Sequence, residues 1–121
     1  GGSREQEVSK VARALKNIAK ELNVAIIALS QLNRGVGMRH NSKPTMADLR
    51  ESGEIEQAAD IVALIYRPEY YGLHEDESGN PTSGLAKIIF AKGRNIGVGE
   101  INLKFIANLT KFEDYESSEG F

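Results

Sequence analysis

The sequence has no cysteine and no tryptophan, and only two histidines and three prolines. The missing thiols exclude disulfides and thiolate metal centres and suit a reducing compartment. His40 and His74 stand far apart, without the spacing of a ligand set, so no histidine metal site is expected. No apolar run approaches the roughly 18 residues that cross a bilayer, and the first residues lack a signal-peptide pattern. There is also no G-x-x-x-x-G-K-S/T phosphate loop, and no buried strand ends in the acidic residue that a magnesium ion requires. The net charge of -2 gives no global sign of a nucleic-acid partner.

What the sequence does have is local order. Its 121 residues make one domain or a piece of one, and at 40% hydrophobic they can fill a single core. Charge is segregated. Arg34, Arg39, Lys43 and Arg50 face only Asp48 between residues 31 and 50, and Lys87, Lys92, Arg94 and Lys104 face only Glu100 between 84 and 105. Such clusters can bind phosphate on an acidic chain, although the same charges also suit an ordinary mixed surface.

Val8, Val11, Leu15, Ile18 and Leu22 recur at helical spacing, which predicts an amphipathic helix of about five turns with its stripe in the core. "VAIIAL" (24–29) and "IVALIY" (61–66) are apolar throughout and predict strands of a parallel sheet buried on both faces. A loop at 33–44 and a helical stretch from Met46 to Ala59 separate them, which is α/β grammar. "LAKIIFAK" (85–92) and "EINLKFI" (100–106) predict a β-hairpin closed by Gly93 to Gly99. The acidic segment from Lys111 is expected to fray.

Three places could carry chemistry. Gln31 follows the first apolar run, where an α/β sheet presents ligands to strand ends, although a glutamine there also satisfies loop backbone. Ser52 or Gly53 could cap a helix beginning with Glu54 and Glu56, and amides at such a start, with Arg50 beside them, could hold a phosphate or simply be capped. Lys92 and Arg94 are two apart, so on an extended strand they point the same way and could clamp a phosphoryl group. The same pair also suits a solvated hairpin with basic decoration; nothing in this chain looks like a phosphate site for it, so if it is functional its target lies on another subunit or on a part of the domain that this chain lacks.

The stretches "ALKNIAKELNVAIIALSQLNR", "DLRESGEIEQAADIVALIYRPE" and "AKIIFAKGRN" together resemble the second half of the RecA-like ATPase domain of DnaB-type replicative helicases, from about Glu5 to Phe112. The resemblance implies a partial RecA-like (P-loop NTPase) α/β fold over 4–112, mainly a parallel sheet with flanking helices plus a C-terminal hairpin. Residues 1–3 then read as a linker or cloning remnant and 113–121 as an acidic tail. It implies an ATP-dependent 5′ to 3′ DNA motor, a homohexameric ring on single-stranded DNA at the bacterial replication fork, cytoplasmic and nucleoid-associated, with primase and a helicase loader as partners. By the same resemblance Gln31 matches the γ-phosphate sensor, Arg50, Glu51 and Gly53 match a DNA-gripping channel loop, and Lys92 and Arg94 match the pair that reaches the neighbouring subunit's ATP. ATP and Mg2+ would be held mainly by residues outside this chain. Gly93 stands where the family usually carries a bulkier polar residue between the two cations.

A different class of function also fits: a stand-alone single-stranded DNA-binding module using Arg34, Lys43 and Arg50, without ATPase activity. A recombinase relative of the same superfamily is a third alternative. Under the helicase resemblance, the bare edges of the apolar runs invite self-association of the isolated chain.

Overall fold

The computed structural model describes residues 4–32 and 43–115, with backbone alone at 4, 5 and 50–52. Helix α1 (Arg4–Leu22) takes the length that its spacing predicts. Asn23, at φ 54, ends it. Its stripe, expected in the core, is largely open: Val11 is 58% exposed and Leu22 is 64% exposed. Among the described elements the helix packs mainly on α2 (Gly53–Ala58) and the 3-10 helix Met46–Ser52, which together are too short to cover five turns.

Val24 to Leu29 departs from expectation in the same way. The segment forms no strand, and Ile27 and Leu29 are 91% and 94% exposed. A strand exists only where ladder partners accept from its amides and donate to its carbonyls, and no described strand pairs with this run. Among the described residues the sheet has four strands, β1 (Ile61–Tyr66), β2 (Leu85–Gly93), β3 (Gly99–Ile106) and β4 (Lys111–Asp114), in that order and antiparallel at every step. The chain is therefore α/β, but its described sheet is not the parallel one predicted. β1, expected to be buried on both faces, is buried only on alternate residues, Val62, Leu64 and Tyr66. Its other face, Ile61 and Ile65, is more than half exposed.

The predicted hairpin forms, with Ile88 opposite Ile101 and Phe90 opposite Gly99. The segment from Lys111 does not fray at its start. β4 adds to β3, and Phe112 packs on Phe105 with ring centroids 4.8 Å apart, a contact that the charge-rich sequence hid. The Arg67 guanidinium lies 3.9 Å over the same Phe105 ring. The core is small: Leu49, Val62 and Leu64, with Leu32, Met46, Ala59, Ile89 and Ala91 packed against it.

The 68–83 loop is tied down by polar contacts. The Thr82 hydroxyl donates to the Leu73 carbonyl, and the Gly84 amide donates to Glu69 Oε2 at 2.8 Å. Glu100 joins two distant segments, 2.8 Å from Lys43 Nζ and 3.3 Å from Lys87 Nζ. The lysine hydrogen bonds, that of Lys43 foremost, hold its carboxyl below the ordinary carboxylate range. Among the described residues, no helix is long and apolar enough to cross a membrane.

The hairpin's closing turn sets a sharp steric condition. A Cβ on Gly93 would collide with the Gly97 carbonyl oxygen and lie 2.5 Å from Ile96 Cγ1, while Gly97 sits at φ 74. Gly93→Ala therefore forces the tip to move. We expect it to lower unfolding stability by about 1–3 kcal/mol, read by chemical denaturation. Unchanged stability would mean that the turn relaxes freely.

Candidate functional site

β1 and β2 pair in simple register from Tyr66–Lys87 to Ala63–Phe90, then shift between Ala63 and Val62. Ala63 faces Phe90 while Val62 faces Lys92, so Ala91 is an extra residue, a β-bulge in β2. A bulge re-aims the side chains that follow it. Without it, Lys92 would point away from the face carrying Ile89 and Ala91. With it, Lys92 shares the helix-covered face of Val62, and Arg94, two residues on, follows.

Both cations then meet the end of α2. Lys92 Nζ donates to the Glu56 carbonyl at 2.6 Å and to the Gln57 carbonyl at 3.3 Å. These are terminal carbonyls of a short helix, which lack helical partners and favour a cation. The Arg94 amide donates to the Asp60 carbonyl at 2.9 Å, and its Nη1 lies 3.1 Å from Asp60 Oδ1. Asp60 also receives Lys16 Nζ from α1, at 2.8 Å from each carboxylate oxygen. A cleft beside this cluster is lined by Arg13, Lys16, Lys20, Glu54, Gln57 and Arg94.

The other predicted residues are dispersed. Gln31 is exposed on the non-strand segment after Val24–Leu29, next to Leu32, which packs on the core. Arg34 lies outside the described residues. Lys43 is paired with Glu100. Arg50 and Glu51 belong by backbone to the 3-10 helix, which runs directly into α2 at Gly53.

The expected cap at Ser52 or Gly53 is corrected. Thr45 caps the turn through a reciprocal capping box with Asp48, whose carboxylate accepts the Thr45 amide at 2.6 Å. Helical backbone is already under way at residue 53, where φ is -54, so no fresh helix start exists there to cradle a phosphate. Asp60 and Lys16 were missed in the sequence because 44 positions separate them. The one available signal was an aspartate immediately before an apolar strand.

The cluster joins three cations and one carboxylate. A lysine and an arginine can address phosphoryl oxygens, whereas a metal calls for clustered carboxylates or imidazoles. Among the described residues, no group of three or more His, Cys, Asp or Glu could hold a metal ion.

Comparison with known proteins agrees in class. Residues 1–114 match the DnaB-like helicase C terminal domain. The chain belongs to that family. It is 51% identical over 114 residues to the replicative DNA helicase DnaC of Bacillus subtilis, covering 94% of this chain and 24% of that protein. It is 49% identical over 114 residues to the replicative DNA helicase DnaB of Geobacillus stearothermophilus, again covering 94% of this chain and 24% of that protein. A solved DnaB-like replicative helicase, studied with its interactions with primase, is 40% identical with a TM-score of 0.84, covering 96% of this chain and 27% of the other. This DnaB-like chain thus spans about a quarter of the length of the curated relatives it matches.

The Asp60 carboxyl is held below its ordinary range, first by the Lys16 hydrogen bond and further by the charges of Lys16, Arg94 and Lys92, against a smaller desolvation cost. A depressed carboxylate contributes stability that is present above its unfolded value, near 3.9, and lost as pH falls through the folded one. The cluster is therefore intact at neutral pH. Lys16→Ala should raise the Asp60 titration midpoint toward the usual value, read by carboxyl-carbon chemical shift against pH. An unmoved midpoint would show that Lys16 is not its main partner.

Proposed function

We propose that this chain is the second part of the ATPase domain of a ring-forming, ATP-dependent replicative DNA helicase that unwinds duplex DNA 5′ to 3′ at a bacterial replication fork. The observation that carries this reading is a family match over residues 1–114 on a chain that sets two cations, two residues apart, at the turn end of the β2–β3 hairpin. The bare apolar surfaces add support. Ile27, Leu29, Ile61 and Ile65 are each more than half exposed, as expected where the rest of a longer domain completes the sheet. In isolation the same surfaces favour self-association.

In this reading Lys92 and Arg94 reach the nucleotide bound by the adjoining subunit and neutralise charge on its phosphoryl oxygens, a contribution worth about 10³ to 10⁵ in turnover for arginine fingers of P-loop NTPases. Bound ATP with Mg2+ supplies the phosphoryl group. Gln31 senses that group through its amide. Arg50, Glu51 and Gly53 contact the single strand in the ring's channel, with Arg34 and Lys43 adding phosphate contacts. Primase and a loader are the further partners, and the work is done on DNA in the cytoplasm.

Two measurements test it. In the full-length protein, Arg94→Ala subunits mixed with phosphate-loop mutants should regain part of their ATP hydrolysis, because each intact half completes the other's site. No rescue at any ratio overturns the sharing of sites. The isolated 121 residues should hydrolyse no ATP. Purified activity that disappears with Arg94→Ala would place a complete site within this chain.

A further inference from the structure

Arg94 follows directly on β2, next to a turn built on Gly93 and Gly97, so its position needs an external reference. Asp60 supplies two. Its carbonyl fixes the Arg94 backbone at 2.9 Å, and its carboxylate meets Nη1 at 3.1 Å. The carboxylate is itself braced by Lys16 Nζ, 2.8 Å from both oxygens. Lys92 completes the attachment by tying the strand to the last carbonyls of α2.

The contact suits orientation better than stabilisation. Both side chains are 56% exposed, and an exposed ion pair contributes little to folding. A guanidinium has five N–H donors, and Asp60 engages the group at Nη1. Arg94 can therefore keep this carboxylate while presenting its remaining donors to a phosphoryl group. We propose that Asp60, braced by Lys16 of α1, is a positioning residue that sets the pose of Arg94 toward the nucleotide of the neighbouring subunit. This rests on the reading of Arg94 given above. It also gives α1 a part in hydrolysis, since a shift of α1 moves Lys16, then Asp60, then the guanidinium.

The test uses the full-length ring with single-stranded DNA. Asp60→Asn keeps the side chain's shape and removes its charge. It should lower kcat about 10- to 100-fold, the size of effect that small misplacement of a reacting group produces, with KM for ATP and ring assembly unchanged. Lys16→Met should act in the same direction more weakly. Asp60→Asn combined with Arg94→Ala should fall no further than Arg94→Ala alone. Wild-type kcat in both Asp60→Asn and Lys16→Met, with Arg94→Ala impaired, overturns the positioning role and leaves the reading of Arg94 standing. A double variant well below Arg94→Ala also overturns it, since Asp60 would then act elsewhere. If Arg94→Ala hydrolyses normally, the reading of Arg94 fails and the role of Asp60 falls with it. Should Asp60→Asn disturb ring assembly, Lys16→Met decides by the same two outcomes.

Discussion

The ladder between Ile61–Tyr66 and Leu85–Gly93 is the pairing on which the remaining geometry rests. It sets Ile89 and Ala91 of β2 against the cluster of Leu49, Val62 and Leu64, and it holds the hairpin in place. The extra residue at Ala91 matters as much as the pairing. Because side chains alternate along a strand, one added residue turns all that follow to the other face. The two cations consequently arrive at the end of α2 together, where helix carbonyls and Asp60 await them.

A second constraint is the scarcity of apolar cover. Among the described residues the core cluster holds three buried residues, while long apolar stretches on α1, on Val24–Leu29 and on the outer face of β1 lie open. The order of the described parts leans on polar ties that cross large sequence distances: Lys16 to Asp60, Lys43 to Glu100, and the Glu69 carboxylate to the Gly84 amide. Such ties fix direction more than they add stability, since exposed pairs contribute little. Under the proposed reading, the rest of a longer domain covers these open surfaces, in keeping with relatives of about four times the length of this chain.

Of the candidate site, the sequence revealed the cation pair itself. Lys92 and Arg94 stand out as basic residues beside glycine and after an apolar run. Their surroundings were not legible. No local pattern announces a bulge at Ala91, and nothing near Asp60 points to a lysine on the first helix. The cap was misassigned for a related reason. Thr45 and Asp48 form a capping box with their own signature, but Ser52 and Gly53 offered a competing one closer to the acidic first turn of α2.

The sequence by itself determined the elements that depend on short-range order: the span of α1, the hairpin of β2 and β3, and the family through its motifs. Helical spacing, strand alternation and turn glycines act between residues a few positions apart, so one chain's text records them. Only the tertiary structure decided which apolar runs find a partner, that Lys111–Asp114 becomes a strand, and where Lys92 and Arg94 point. Those outcomes depend on groups that meet across dozens of residues, through ladder register and charge pairing that no local pattern encodes.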